Sequence, residues 1–440
     1  SVTKIELYAF ADCTSLKSIV VAEDNPRYDS REGCNAIIET ETNTLIAGFK
    51  STIIPESVTK IAERAFGRCT SLKSIVIPKS ITEVYKGTFE FCTSLESITI
   101  PESVTKIGKW AFEGCTSLES ITIPESVTEI GYHAFRNCTS LESITIPESV
   151  TKIETRTFSG CTSLKSITIP ESVKVIEWNA FEGCTSLESI TIPESVTEID
   201  EKVFSGCTSL ESITIPESVT KIGKWAFAGC TSLESITLPE SVTKIELYAF
   251  ADCTSLKSVA IPESVTEIRY HAFRNCTSLE SIVVAEDNPK YDSREGCNAI
   301  IETETNTLIA GFKSTIIPES VTKIEKSAFS KCPSLTSIVI PDSVTSIGEV
   351  AFKYCTSLES INIPESVTEI GESAFDDCTA LTAIYVPAKK TDYYKKRLPK
   401  ELHDTIVELV PEKKAKAKKC LTLPFQFLWL LLRGKKKERL

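Results

Sequence analysis

Residues 101–123 read PESVTKIGKWAFEGCTSLESITI, and this 23-residue pattern recurs along most of the 440-residue chain. A fixed spacing of self-similar segments is the sequence signature of a repeat architecture. Cys69, Cys92, Cys115, Cys138, Cys161, Cys184, Cys207, Cys230, Cys253 and Cys276 keep the interval without a slip, and Cys332, Cys355 and Cys378 resume it. Cys13 belongs to the same column. From Cys13 to Cys69, and from Cys276 to Cys332, the gap is 56 residues, one period plus 33, so each gap holds one insertion.

Within residues 101–123 the apolar positions sort by what a coil must bury. Leu118, Ile121 and Ile123 alternate as in a short strand with one buried face. Pro124 ends it, because proline offers no donor to a continuing ladder. Val104 and Ile107 turn inward again, and Ala111, Phe112 and Cys115 stand at helical spacing. The pattern predicts an α/β solenoid with one strand and one helical turn per coil. A lone coil cannot bury its apolar side, whereas the 14 Phe-x-x-Cys units form one stacked core and hence one elongated domain over residues 1–387.

The net charge of −12 conceals an asymmetry, because residues 388–440 carry 16 Lys and Arg against 6 Asp and Glu and leave an acidic body. Phosphate neutralisation by Lys and Arg supplies most affinity for nucleic acid, so an acidic body argues against that partner. Ser1–Ser18 repeats Ser241–Ser258 letter for letter, and Met is absent throughout, which predicts a natural N-terminus, with any signal peptide, upstream of this fragment. After Pro387 the period ends, and residues 388–411 suit a polar cap over the last coil. In the basic and apolar tail, 412–440, Cys420 and LTLPFQFLWLLL lie between lysine clusters. Twelve mostly apolar residues fall short of the about 20 that a spanning helix needs, which leaves membrane contact at the interface or a flexible tail.

The string IPESVTxIGxxAFxxCxSLxSI, as in Ile123–Ile144 and Ile340–Ile361, resembles the BspA-like class of leucine-rich repeats over residues 1–387. The insertions, at about 22–53 and 285–316, strengthen the likeness: AEDNPRYDSREGCNAIIETETNTLIAGFKSTIIPESV from Ala22 recurs from Ala285 with only Arg27 replaced by Lys290. Each predicts a β-hairpin, with Ala36–Thr40 and Thr44–Phe49 in the first copy. The resemblance implies a secreted or cell-surface protein that binds host matrix proteins or other cells. A structural spacer displaying a domain encoded upstream is the alternative.

Chemistry has little foothold. No two of the 17 cysteines are closer than 21 residues, unlike the paired ligands of zinc sites, so neither a metal nor a cofactor is expected, and each Cys fills a small inward slot. His133 and His271 lie six periods apart and cannot converge on one substrate, so no catalytic residue is assigned and the chain reads as no enzyme. The outward strand residues hardly vary, as in Ser97 and Thr99 or Ser143 and Thr145. Beside them runs a column of Glu96, Glu119, Glu142, Glu188, Glu211 and Glu234, interrupted by Lys165 and Lys257. Variation concentrates at the two residues before each Ala-Phe. Trp110, Tyr132, Trp178, Trp225, Tyr248 and Tyr270 stand there, large aromatics of the kind that dominate binding surfaces, and are the candidate protein-ligand contacts.

Overall fold

The computed structural model describes residues 2–409 apart from Leu7, Tyr8, Ala11, Asp12, Thr14, Ser15 and Pro399. The basic and apolar tail therefore lies outside the described residues. They fall into two compact units, one running to residue 256 with 267–273 added, the other of residues 257–266 and the described residues from 274 on.

In the first unit the coils stack with a one-period register. Lys106–Ile107 lies parallel between Glu83–Val84 and Glu129–Ile130, so Lys106 faces Glu83 and Glu129. Ser143–Thr145 lies likewise between Ser120–Ile121 and Ser166–Thr168. Most coils thus supply two short strands, not one, and at Thr191 and Thr214 the second is reduced to an isolated bridge. Inward residues of both are buried, among them Val104, Ile107, Leu118, Ile121 and Ile123.

The expected helical turn is absent as a helix. From Gly108 to Cys115 the amides alternate in direction. Ala111, Glu113 and Cys115 donate three residues back, whereas Trp110, Phe112 and Gly114 donate to Tyr132, Ala134 and Arg136 of the next coil at 2.8 to 3.1 Å. A helix would send every amide four residues back along its own axis. Here half the donors serve the stack, and the backbone turns left-handed at Trp110 (φ 56°) and Gly114 (φ 71°) to aim them. The i, i+1, i+4 spacing still places Ala111, Phe112 and Cys115 in the core, all fully buried.

That core is columnar. Phe rings from Phe66 to Phe273 follow one another at centroid separations of 5.2 to 5.7 Å. Beside them the column thiols from Cys92 to Cys253 each donate to the carbonyl of the preceding coil's Phe, as Cys115 does to Phe89 at 3.2 Å and Cys138 to Phe112 at 3.1 Å. A hydroxyl ladder of similar logic joins Ser126 Oγ to the Val104 carbonyl at 2.7 Å. Buried thiols and hydroxyls of this kind are answered by the neighbouring coil.

Near the start of this unit Ala36–Glu39 and Thr44–Gly48 pair antiparallel, and Thr44–Gly48 then runs parallel to Lys60–Ile61. Gly48 is fixed by packing, since a Cβ there would sit 2.0 Å from the Phe66 ring. The second unit repeats the arrangement with Ala299–Glu302, Thr307–Gly311 and Lys323–Ile324. It has a Phe column of its own at Phe329, Phe352 and Phe375. At its end Ala383–Pro387 lies parallel between Ser360–Asn362 and Ile406–Leu409, and the one short α-helix described, Thr391–Lys395, buries Tyr394.

Candidate binding surface

The two residues before each Ala-Phe play different structural parts. The second always adopts a left-handed φ: 56° at Trp110, 60° at His133, 53° at Arg156, 61° at Asn179, 56° at Lys202, 55° at Trp225, 59° at Tyr248 and 60° at His271. The residue before most Cys is left-handed too; there the chain uses Gly114, Asn137, Gly160, Gly183, Gly206, Gly229, Asp252 and Asn275, types suited to that conformation, but also Arg68, Phe91, Lys331 and Tyr354. At the position before Ala-Phe or its equivalent, Gly87 and Asn179 meet the conformation cheaply, whereas Trp, Tyr, His, Arg and Lys do so at about 1 kcal/mol each.

Those side chains assemble by column. Trp225 stacks on Tyr248 at 5.4 Å with rings 7° apart, and Tyr248 stacks on His271 at 4.9 Å and 4°. Lys224 and Lys202 lie 4.2 and 4.9 Å from the Trp225 ring centre. A second cluster sets Trp110 edge-on to Tyr132 at 4.8 Å with His133 beside both, and Lys86 and Lys109 over the two larger rings. Burial, reinforced by Arg136 and Arg156, pulls the His133 pKa down to about 4, so that ring is neutral near pH 7. Of the six candidates the structure brings Trp225 with Tyr248 and Trp110 with Tyr132. Tyr270 and Trp178 occupy the first position and are exposed, Trp178 with Arg156 5.3 Å from its ring centre. The third ring of the Trp225 stack is His271, not Tyr270; spacing alone does not distinguish the two positions.

The strand face carries the expected exposed hydroxyls, Ser143, Thr145, Ser166 and Thr168. In the Glu column, Lys165 meets Glu142 at 3.0 Å, an exposed pair that contributes about 1 kcal/mol at most. Uniformity fails beside the insertions. Val20, Ile53 and Val76 take the place that Thr99 and its equivalents hold elsewhere, and Val283, Ile316 and Val339 do the same in the second unit. The signal lay in aligning STIIPESV with SITIPESV on its proline.

The buried thiol column of the first unit is chemically quiet. Burial raises Cys161 and Cys207 to about 12. Among the described residues no group of three or more His, Cys, Asp or Glu is placed to hold a metal ion.

Parallel strands in one-period register, a buried Phe column and coil-to-coil hydrogen bonding define a leucine-rich-repeat solenoid. The chain belongs to the BspA type leucine rich repeat region family, which matches residues 1–31, 38–165, 151–280 and 301–398. Among solved structures it is similar to a leucine-rich repeat protein from Bacteroides ovatus, 31% identical over 90% of this chain and 91% of that one, with a TM-score of 0.59. A leucine rich cell surface protein from Faecalibacterium prausnitzii is 26% identical over 88% and 95%, with a TM-score of 0.47. No curated protein matches the chain significantly. The solenoid and family are those of repeat scaffolds, which points to protein binding.

Proposed function

We propose that this chain is a non-enzymatic protein-binding scaffold at a bacterial cell surface, an adhesin for host matrix proteins or for other cells, whose variable flank makes the contacts. The observation that carries the reading is the side-chain choice at the left-handed position before Ala-Phe. Other coils fill the same left-handed position with Gly87, Asn179 or Ser327, yet here it carries Trp110, Trp225 and Tyr248, so these rings are retained against a conformational cost. Tyr132, Trp178 and Tyr270 beside them complete a surface that differs coil by coil, as discrimination requires. A purely aliphatic solution would serve a structural flank equally well and would not need indole and phenol edges. The extracellular setting follows from the family resemblance, and the carboxylate-rich body fits a protein ligand better than nucleic acid.

The test is binding of the whole chain to immobilised matrix proteins and to epithelial or bacterial cells. Saturable binding to at least one is expected. Its absence across the panel, with the chain folded, would favour the spacer reading.

A further inference from the structure

Beside the first insertion the strand face changes character in two columns at once. Val20, Ile53 and Val76 are 82%, 76% and 66% exposed where the coils from Thr99 to Thr237 place a hydroxyl. Three residues earlier in each coil, the column that holds Glu96, Glu119 and Glu142 elsewhere holds Lys17, Lys50 and Lys73, all exposed. Asn35 ties the first two coils together, its Oδ1 accepting the Ile19 amide at 2.7 Å and its Nδ2 donating to Ser51 Oγ at 2.5 Å. Ile53 and Val76 are one period apart.

The fold does not demand this patch. The second insertion keeps the aliphatic column, at Val283, Ile316 and Val339, but its neighbouring column reads Glu280, Lys313 and Thr336. The lysine column is therefore separable from the insertion, and three like charges on coils about 4.8 Å apart repel one another in the absence of an anion. Among the described residues only Lys73 of the three has a carboxylate partner in an ion pair, Glu96 at 3.3 Å, and both groups are largely exposed. The aliphatic column leaves on the order of 300 Å² in water, comparable to the largest patch on a typical monomer.

We propose that Lys17, Lys50 and Lys73 with Val20, Ile53 and Val76 form a docking surface for an extended peptide segment of a partner protein in which acidic and aliphatic residues alternate. An extended chain sends successive side chains to opposite sides. Laid across the three coils, it sets carboxylates over the lysine column and aliphatic groups over the valine and isoleucine column, about 10 Å away along the strand. Charge selects this occupant. The body is otherwise acidic, so it repels an anionic membrane as a whole, whereas a short segment meets only the local lysines. The surface is separate from the aromatic flank and does not rest on it.

The test uses the whole chain and a labelled ten-residue peptide alternating Asp and Val, with fluorescence anisotropy as the readout. Two triple variants restore what other coils carry and so preserve the coil: K17E/K50E/K73E and V20T/I53T/V76T. Each is expected to weaken binding at least about tenfold, with salt sensitivity lost in the first, while V283T/I316T/V339T binds as the parent does. Circular dichroism confirms the fold of each. The proposal is overturned if the Asp-Val peptide does not bind, if either patch variant binds as well as the parent, if a Lys-Val peptide binds as tightly, or if these residues are needed only for phosphatidylserine vesicles.

Discussion

Replacing Phe181 with Ala removes a fully buried ring that stacks 5.5 Å from Phe158 and 5.7 Å from Phe204. Truncation of such a ring costs about 3 to 5 kcal/mol, because the cavity is lined by neighbours held in their own columns and collapses only in part. Phe181's backbone roles survive the change: its amide donates to Val203 and its carbonyl accepts from the Cys207 thiol. The loss therefore falls on the side-chain column, and the coils on either side each lose one ring face. In a stack stabilised by nearest-neighbour contacts, the damage spreads to those coils and fades beyond them. Native-state hydrogen exchange reads this directly. Protection around Cys161, Cys184 and Cys207 should fall by roughly two to four decades, at about 1.4 kcal/mol per decade, while amides near Cys92 change little. Unchanged protection at Cys184 would refute the stacked core. A uniform loss over the whole unit would instead refute coil-by-coil coupling.

Three further outcomes follow from the same geometry. His133 has a folded pKa of about 4 against an ordinary 6.5, so the unfolded chain takes up a proton first as the pH falls. The contribution of neutral His133 is thus complete above about pH 6.5 and is lost progressively toward pH 4; H133N should remove that part of the pH dependence of exchange protection, and an NMR midpoint near 6.5 would contradict it. Thiols of the column, with Cys161 and Cys207 raised to about 12, should resist alkylation in the native protein at pH 8, whereas Cys13 is exposed and should react; mass spectrometry showing fast labelling of Cys184 would mean that the coils open. Gly183→Ala has room, with only Gly160 backbone 3.9 Å from the new Cβ, but its φ of 72° makes the change cost about 1 kcal/mol in chemical denaturation.

Much of the fold is legible in the 23-residue period, since alternation in SLESITI and the Phe-x-x-Cys spacing mark the inward residues that are buried. The turn segment is not, because spacing of i, i+1 and i+4 reports which side chains face inward and not where the amides go. At Trp110, Phe112 and Gly114 the amides go to the next coil, a partner 22 residues away. The aromatic positions are legible as a variable pair, but the left-handed backbone that separates Tyr270 from His271 becomes visible only with coordinates. The aliphatic columns at Ile53 and Ile316 are hidden by the 33-residue spacing, which carries them out of step with the thiol column.

The claim that the flank and not the hydroxyl face holds the ligand is tested most directly by two triple variants compared on one cell or matrix surface. Trp225→Ala, Tyr248→Ala and Tyr270→Ala remove flank aromatics; Thr191→Ala, Thr214→Ala and Thr237→Ala strip three hydroxyls from consecutive coils of the strand face. Loss of anchoring aromatics costs about 2 kcal/mol or more, near thirtyfold in affinity, whereas a replaceable hydroxyl on a uniform surface costs little. The account predicts that the aromatic variant loses adhesion with its fold intact and that the threonine variant keeps it; the reverse result would place the ligand on the strand face and contradict the flank as the binding surface.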